Sequence, residues 1–374
     1  MAKVVVVGAG ISGLSVAHSL LELYGRDKIG ELIIVARDIP GTFTSHDYTS
    51  PWAGANWDSF ASLDDAAQIK RDRVTYEWFT ELARSKPETG VKEYKLKLVV
   101  SKDAPVPWFI QENFVRDLSK ISEEELRYRN ADPEKYCGYE FTTFTVTPST
   151  YKFWMVNEIK KMGGKIRQMA KIDSIEDVPG IVGFLPDLVI NATGVHAGHF
   201  LRRYEPSEEQ KVYPVKGQIV QIYEDLPFQI VMEPLPKEDG ASDDQFLNMF
   251  PRGDGGCIIG GIMRKHDWSD TVDPELTKKI VQICQRHTPE LKNPTVYNSY
   301  VALRPGREGG VRVQYSEFDL PNNRGKLKVV HNYGIAGAGY QASRGLALEA
   351  TSLAAASVFG LPTFLSRKVC PYKL

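Results

Sequence analysis

The sequence lacks long hydrophobic runs, and it lacks any surplus of positive charge. None of its apolar stretches reaches the roughly 18 residues needed to cross a bilayer, so no membrane partner is expected. Lys and Arg total 46 against 47 for Asp and Glu, which gives a net charge of −1. A nucleic-acid-binding protein normally carries a surplus of positive charge, so nucleic acid is not an expected partner either.

The chain also lacks clustered cysteines. Its four cysteines are scattered, with no C-x-x-C pair and no His/Cys cluster: Cys137, Cys257, Cys284 and Cys370. The sequence therefore predicts neither a metal site nor a disulfide framework, and reduced thiols are expected. It likewise offers no obvious catalytic triad or paired carboxylates. What is present is a chain of 374 residues, 42% hydrophobic, which is long enough for two domains.

The N-terminal residues have the pattern of a dinucleotide-binding unit. Val4–Val7 predicts a strand buried on both faces, Gly8–Gly13 reads G-x-G-x-x-G, a helix follows, and Leu32–Val35 predicts a second strand. In this motif Gly8 permits the tight turn, Gly10 lets the backbone approach a pyrophosphate, and Gly13 lets the helix pack on the strand. The anion then lies at the positive end of the helix dipole.

Two questions about this motif stay open from the residues alone. The motif does not separate FAD from NAD, and a structural glycine turn is the alternative to a nucleotide site. The acidic residue that usually contacts the ribose should end the second strand, about 20 residues past the motif. Ala36 occupies the predicted strand end, followed by Arg37 and Asp38. Either Asp38 reaches the ribose, or Arg37 contacts the adenosine phosphate.

A second glycine-rich turn lies near the other end of the chain. Val329–Ala347 contains a strand, this turn, and the start of a helix predicted to run to about Phe359. Backbone N–H groups at such a turn can stabilise negative charge on a flavin ring. The alternative is a structural strand-to-helix junction rich in small residues.

The same stretch resembles the signature of the D-amino-acid oxidase family. Its matching positions are two aliphatics, His331-Asn332-Tyr333-Gly334, small residues, Gly339, and Gly345-x-Ala347. Four further segments are similar to the family in the right order: Ser50–Trp57, Asn191–Gly194, Gly260-Gly261 with Asp267-Trp268, and Leu303–Pro305. The resemblance therefore covers nearly all of the chain.

The resemblance implies FAD as the cofactor and an α/β fold. The predicted FAD-binding domain is Rossmann-like with a parallel sheet and comprises residues 1–60, 150–200 and 300–374. It is interleaved with a substrate-binding domain of residues 61–149 and 201–299, with a largely antiparallel sheet and a lid within 205–250. The implied cofactor contacts are Gly8, Ala9, Gly10, Ile11, Ser12, Gly13, Arg37, Asp38, Thr44, Ser45, Gly54, Ala55, Asn56, Ile172, Thr193, Gly337, Gly339, Tyr340 and Gln341.

The resemblance also implies oxidative deamination of D-amino acids with dioxygen as acceptor. The α-hydrogen would pass as hydride to flavin N5, and the products would be a keto acid, ammonia and hydrogen peroxide. No side chain is expected to act as acid or base. Arg304 is assigned to the substrate carboxylate, because arginine is a permanently charged, bidentate donor. Arg307 and Arg344 are interpreted as solvated or structural, and His331 as buried rather than catalytic.

The substrate preference depends on a few positions in the second domain. The further substrate contacts predicted are Asn56, Asn248, Met263 and Gly337. With Met263 facing the substrate, apolar side chains are favoured, since Met fills irregular space. With the adjacent Arg264 facing it instead, an acidic D-amino acid would find a charge partner, as in a D-aspartate oxidase. The neutral substrate is the favoured hypothesis.

The sequence leaves three rival functions open, and it also gives hypotheses for the cellular location and the assembly. The rivals are a nicotinamide-dependent dehydrogenase, a non-catalytic dinucleotide-binding protein, and an oxidase of sarcosine or another secondary amine, or of glycine. The final residues Tyr372-Lys373-Leu374 match two positions of the peroxisomal signal Ser-Lys-Leu, so the peroxisome is the hypothesis and the cytoplasm the alternative. An import receptor and a second copy in a homodimer are the corresponding candidate partners.

Overall fold

The computed structural model describes residues 1–362. The cysteine at position 370 and the C-terminal tripeptide behind the peroxisome hypothesis lie outside the described residues. Cys137, Cys257 and Cys284 are free thiols. No helix among residues 1–362 is long and apolar enough to cross a membrane.

Fifteen strands occur in the described part of the chain. In chain order they are β1 Ala2–Val7, β2 Ile29–Ala36, β3 Val91–Ser101, β4 Arg116–Lys120, β5 Tyr136–Val146, β6 Lys165–Gln168, β7 Leu188–Asn191, β8 Val212–Ile222, β9 Phe228–Glu233, β10 Gln245–Pro251, β11 Cys257–Ile262, β12 Arg264–Lys265, β13 Val296–Arg307, β14 Arg312–Asp319 and β15 Lys326–Tyr333.

Ten α-helices lie between these strands within residues 1–362. In chain order they are α1 Ile11–Lys28, α2 Ala66–Ser85, α3 Trp108–Gln111, α4 Glu123–Tyr128, α5 Pro148–Lys161, α6 Val178–Val182, α7 Ala197–Leu201, α8 Pro206–Lys211, α9 Pro274–His287 and α10 Ser343–Val358.

The chain divides into two compact units, each made of separate segments. Unit 1 contains residues 1–51, 152–214 and 304–374, and unit 2 contains residues 52–151 and 215–303. The first crossing between the units follows Pro51, earlier than the predicted bound at 60. The later crossing follows Pro214 rather than residue 200, because α7 and α8 pack on each other inside unit 1.

Unit 1 is built on a six-stranded sheet in the order β14-β15-β7-β1-β2-β6. All neighbours are parallel except β14, which pairs antiparallel with β15. The valines of β1 pair with β2 on one side and with β7 on the other, and Val4, Val5 and Val6 are fully buried. This double burial explains the continuous apolar run, as in other parallel sheets.

Two helices of unit 1 pack against each other although more than 300 residues of sequence separate their starts. Helix α1 follows the first glycine turn, and α10 follows the second. An ion pair of 2.6 Å between Arg344 of α10 and Glu22 of α1 joins them, and Arg344 also donates to Ser19 Oγ at 2.8 Å. The two glycine turns are therefore parts of one layer in unit 1.

Unit 2 is built on a nine-stranded, largely antiparallel sheet. The path is β12-β8-β11-β10-β9-β3-β5-β4, with β13 also paired to β8, and the β3–β9 pair is parallel. One face carries an aliphatic core that includes Met249, Ile259 and Ile283 of α9. A separate aromatic cluster surrounds the fully buried Trp57. The two kinds of sheet confirm the predicted fold class.

The range predicted to contain a lid holds α8, β8, β9 and most of β10. Its longest part without a strand or α-helix, residues 234–244, is anchored by Asp239, which is buried and whose Oδ2 lies 2.7 Å from Nε2 of His287. Both side chains are inside the same unit. A lid in this range stays a prediction.

Candidate active site

The first glycine turn joins β1 to α1 and can be formed only by glycine. Gly8 has φ +110°, and a Cβ at this position would lie 2.2 Å from the carbonyl oxygen of Ala192, just after β7. A Cβ on Gly13 would lie 2.1 Å from the Gly8 oxygen. The Gly8 N–H donates to the Val35 oxygen at 2.9 Å, which ties the turn to β2. The turn is thus pressed between two neighbouring strand ends.

A groove opens at the carboxyl ends of β1, β2 and β7 in unit 1. This is where ligands bind in open parallel sheets. The predicted cofactor residues that line it are Gly8, Ala9, Gly10, Ile11, Ser12, Arg37, Asp38, Ile172, Thr193 and Gly339. Gly13 supports the turn from beneath.

One end of the groove carries a network of charged side chains around Asp47. Arg37 donates to Asp38 at 2.6 Å and to Asp47 at 2.5 Å, and His196 Nε2 lies 2.5 Å from the other Asp47 oxygen. Burial alone would raise the pKa of Asp47, but hydrogen bonds with His196 and Arg37 hold it well below its ordinary value. Ser45 Oγ donates to Asp38 at 2.9 Å.

Both residues that the sequence left as alternatives belong to this network, and which of them contacts the cofactor stays a prediction. Arg37 and Asp38 line the same groove and are bonded to each other. Sequence reasoning missed Asp47 and His196, since they come from a loop and a turn without any local pattern. Of the predicted phosphate contacts, Ser45 bonds Asp38 and Thr44 is exposed, and their contact with the cofactor stays a prediction.

The other part of the groove is held by Tyr48 and Ser50. Tyr48 donates to the Ala9 oxygen at 2.9 Å, and Ser50 Oγ accepts from the Ile11 N–H at 3.0 Å. Tyr340, predicted to contact the cofactor, donates to the Ser50 oxygen at 2.9 Å. Tyr340 therefore connects the second glycine turn to the segment that braces the first.

Behind Tyr48 lies Lys152, a fully buried lysine that the sequence analysis missed. Its Nζ lies 3.3 Å from Tyr48 Oη and 4.7 Å from the centre of the Tyr48 ring. Burial lowers the pKa of Lys152 from 10.5 to about 7. The surrounding Tyr-Lys-Phe-Trp sequence gave no sign of this, because lysine in such a run is normally on the exposed face of a helix.

The second glycine turn follows β15 and precedes α10. Gly334 has φ +87°, Gly339 lines the groove, and Gly337 is exposed. Helix α10 begins at Ser343, so Gln341 precedes it and is buried. His331 is fully buried in β15, 3.3 Å from the Asn191 amide nitrogen, and burial holds its pKa well below the ordinary value. It is therefore a structural, uncharged histidine.

Arg304 lies near the end of β13 at the start of the last segment of unit 1. Burial lowers its pKa to about 10, which leaves the guanidinium charged at neutral pH. Arg307 instead makes a bidentate ion pair with Glu208, at 2.8 and 2.9 Å, and Arg344 is engaged with α1. Arg307 and Arg344 are structural, as interpreted from the sequence.

The predicted ring-side residues of unit 2, Gly54, Ala55 and Asn56, form a short segment outside the regular strands. A Cβ on Gly54 would lie 2.7 Å from the Phe250 ring, Ala55 has φ +47°, and its oxygen accepts from the Val146 N–H at 2.6 Å. Asn56 bridges to Thr145. Within the described residues, Nδ2 of Asn56 is buried and has no hydrogen-bond partner.

The three positions that bear on substrate preference lie on β10 and around β12. Asn248 is in β10, and its buried Oδ1 has no hydrogen-bond partner in the described part of the chain. Met263 is 44% exposed. Arg264 donates to Asp244 at 2.5 Å, so its charge is already paired inside unit 2.

Comparison with known proteins places this fold and groove in a family. The family model described as FAD dependent oxidoreductase (DAO) matches residues 3–353. This chain therefore belongs to the FAD-dependent oxidoreductase family, and FAD is its cofactor. The groove fits the adenosine and diphosphate part of FAD, since its glycine turn leaves no room for a Cβ and faces the start of an 18-residue helix.

Relatives found by sequence agree with the predicted resemblance, which is confirmed. The D-amino-acid oxidase of Schizosaccharomyces pombe is 31% identical over 94% of this chain and 95% of its own. That of Fusarium vanettenii is 29% identical over 94% and 96%. The D-aspartate oxidase of Talaromyces thermophilus is 26% identical over 95% of each chain.

Solved structures support the fold. Glycine oxidase from Geobacillus kaustophilus superposes with a TM-score of 0.71 at 17% identity, covering 100% of this chain and 98% of that one. L-proline dehydrogenase from P. horikoshii gives 0.69 at 15% identity, covering 97% and 96%. These similarities establish a shared fold for the chain.

We predict that Gly8→Ala abolishes tight FAD binding. The new Cβ would collide with the Ala192 oxygen, and φ +110° is strained for alanine. FAD affinity, measured by quenching of flavin fluorescence, should fall by at least about tenfold. Gly180→Ala in α6 is the control, since a Cβ there has nothing within 4 Å. A Gly8→Ala protein that binds FAD like the wild type would contradict this role.

We predict that Lys152 makes stability depend on pH. Its pKa of about 7 in the folded protein lies below its unfolded value of 10.5, so the unfolded state binds more protons between these values. The free energy of unfolding should therefore rise with pH in this window, by about 1.4 kcal/mol per pH unit from this group. Urea unfolding of the flavin-free protein at pH 7, 8 and 9 measures it.

The variant Lys152→Met should lose this rise, and Lys160→Met should keep it. Lys160 is exposed on the same helix, so it controls for the loss of one positive charge. Equal pH profiles for the two variants would show that Lys152 is not the group responsible.

Proposed function

We propose that this chain is an oxidase that deaminates D-amino acids to keto acid, ammonia and hydrogen peroxide. The observation that carries the proposal is the similarity, over nearly the whole chain, to relatives named D-amino-acid oxidase. We assign FAD binding to unit 1, which contains the groove, and substrate contacts of Asn56, Asn248 and Met263 to unit 2.

Arg304 is the proposed partner of the substrate carboxylate. A guanidinium presents two parallel N–H donors that match a carboxylate, and it keeps its charge when buried. Arg304 is half-buried, its lowered pKa of about 10 reflects the desolvation of the guanidinium, and a partly desolvated charge attracts an anion more strongly than an exposed one. Gly337 in the second glycine turn is the remaining proposed substrate contact in unit 1.

The reaction then needs orientation more than proton transfer by side chains. The chemistry that FAD supplies is acceptance of the α-hydrogen as hydride, followed by delivery of two electrons to dioxygen, which yields hydrogen peroxide. The substrate loses its Cα–H bond and becomes an imino acid, which water hydrolyses to keto acid and ammonia. The residues of this chain hold the carboxylate and so fix the direction of the Cα–H bond.

D-Amino acids with neutral, apolar side chains are the favoured substrates in this proposal. Arg264, the cation that would favour a dicarboxylate, is paired with Asp244. Met263 offers a flexible apolar surface, which suits neutral side chains. A D-aspartate oxidase is the second candidate, supported by the 26% identical relative of that name.

We predict that D-alanine or D-phenylalanine bleaches the flavin under anaerobic conditions, and that the L-forms do not. D-Aspartate should bleach it more slowly than either. A dehydrogenase would form no peroxide on readmission of air, and a non-catalytic dinucleotide-binding protein would stay yellow with every amino acid. Bleaching by glycine or sarcosine in preference to the D-amino acids would favour a secondary-amine or glycine oxidase.

The variant Arg304→Lys separates carboxylate binding from flavin binding. Lysine keeps the charge but loses the bidentate geometry, so KM for D-amino acids should rise by about a hundredfold with the flavin still bound. Arg324→Lys, at an exposed position of unit 1, is the matched control. An unchanged KM in Arg304→Lys would contradict the assignment.

We further propose a peroxisomal location and a homodimer. The location rests on Lys373 and Leu374, which agree with the end of the peroxisomal signal and would engage its import receptor. Peroxide production is consistent with that compartment. The cytoplasm is the alternative location, and the homodimer rests on the family resemblance alone.

A further inference from the structure

One face of the sheet in unit 2 carries polar residues, and the register of β9 and β10 identifies it. Leu247 pairs with Met232 and Met249 with Ile230, and all four belong to the aliphatic core. Since neighbours along a strand alternate between faces and paired residues share one, the Asn248–Val231 pair lies on the opposite face. Glu233, two residues after Val231, shares that face.

The segment 54–58 lies against the same face. Phe250 is two residues after Asn248 and therefore projects to the same side, and Gly54 sits directly on its ring. Trp57 is fully buried in the aromatic cluster, which fixes the course of the segment. Asp58 follows Trp57 directly, and repulsion from the Glu233 carboxylate contributes to the raised pKa of Asp58.

Asp58 is a buried carboxyl group without a countercharge in the described part of the chain. It is 5% exposed, it has no hydrogen bond or ion pair there, and the charges acting on it are two more carboxylates, Glu233 and Asp72. Burial and then this repulsion raise its pKa to about 7. Asp72, in contrast, accepts hydrogen bonds from Ser59 and Gln68, at 2.6 and 2.8 Å.

The surroundings of Asp58 point to a ligand rather than to a structural role. Asn248 Oδ1 on this face, and Nδ2 of Asn56 two residues before Asp58, are buried atoms that lack hydrogen-bond partners within residues 1–362. A buried polar group normally has its partner within the protein or in a bound molecule. Glu233 is exposed at the end of β9, and partial desolvation of its carboxylate raises its pKa, so this group too would gain from a cation.

An organic cation fits these groups better than a metal ion. Among residues 1–362 there is no group of three or more His, Cys, Asp or Glu side chains arranged to hold a metal. An ammonium or guanidinium group needs only one or two carboxylates and nearby amide oxygens. The segment that carries Asp58 also carries Asn56, which is a proposed substrate contact. The cation is therefore best placed on the substrate itself.

We propose that Asp58 and Glu233 are specificity-determining residues that select D-amino acids with a positively charged side chain, such as D-lysine and D-arginine. This inference rests on the proposed function. An acidic substrate would meet two like charges here, and a neutral one would leave Asp58 buried without a countercharge. The inference thus names a substrate class beyond the neutral side chains favoured above.

The test on the unmodified protein uses unbranched substrates with and without a positive charge on the side chain. We compare D-lysine, Nε-acetyl-D-lysine and D-methionine with the FAD-loaded protein by oxygen consumption. The value of kcat/KM for D-lysine should exceed that for its acetylated form and for D-methionine by at least about tenfold, mainly through KM. D-Lysine oxidised no better than its acetylated form would overturn the inference.

The variants Asp58→Asn and Glu233→Gln test the residues. Each should lower the ratio of kcat/KM for D-lysine to that for D-methionine by about tenfold to a hundredfold. The double variant Asp103→Asn/Glu134→Gln removes two exposed carboxylates of unit 2 and should keep the wild-type ratio. An unchanged ratio in Asp58→Asn and Glu233→Gln would overturn the assignment.

The outcomes also separate this inference from the proposed function. If D-methionine is oxidised and D-lysine gains nothing from its charge, the selection by Asp58 and Glu233 is wrong and the oxidase stands. If no D-amino acid bleaches the flavin, the proposed oxidase function and the selection by Asp58 and Glu233 are both wrong. If a variant does not fold, the substrate series on the unmodified protein decides.

Discussion

The close approach of the Gly8 turn to the end of β7 is the constraint on which unit 1 depends. A parallel sheet brings the carboxyl ends of β1 and β7 side by side, and the carbonyl of Ala192 occupies the space where any other residue at position 8 would place its Cβ. Gly13, in the first turn of α1, must also lack a Cβ, since that atom would lie 2.1 Å from the Gly8 oxygen. Because the backbone alone fills this junction, the start of α1 is left facing an open groove. Ser50 connects the two glycine turns at that groove, because its backbone oxygen accepts a hydrogen bond from Tyr340 and its Oγ accepts one from the Ile11 N–H.

The two units differ in whether the carboxylates at their candidate sites have hydrogen-bond partners. At the groove of unit 1, each carboxylate has a partner: Asp38 bonds Arg37 and Ser45, and Asp47 bonds Arg37 and His196. Such fully bonded groups hold a fixed shape. On the polar face of unit 2, Asp58 is buried without such bonds, and Asn248 Oδ1 also lacks one. Buried polar groups that lack a partner in the described residues are better explained by a bound molecule than by the fold.

The sequence predicted those parts of the molecule in which local pattern and tertiary requirement coincide. The valine run of β1, the glycine turn and α1 are adjacent in the chain. Gly8 and Gly13 stand where the fold leaves no room for a Cβ, and the motif has glycine at both positions. The second turn was recognisable because family resemblance and glycine spacing agreed. The interpretations of Arg307, Arg344 and His331 also hold, since an ion pair, a helix contact and full burial explain them.

The residues that sequence reasoning missed depend on contacts between distant segments. Asp47 and His196 are 149 positions apart and meet only in the fold. Lys152 is buried in contact with Tyr48, a residue more than 100 positions away, although its own helix gave no reason to expect burial. Arg264 could not be assigned until Asp244 was seen beside it. Asp58 follows a conspicuous aromatic segment, but its lack of a countercharge is a property of the packed structure.

The most direct measurement of the central claim is an equilibrium titration of the flavin-free protein with FAD, with ADP as competitor. The account places the adenosine and diphosphate half of the cofactor in the groove of unit 1. It therefore predicts saturation at one FAD per chain and displacement of FAD by excess ADP. A folded protein that binds no FAD, or that binds FAD without any competition from ADP, would contradict this placement of the cofactor.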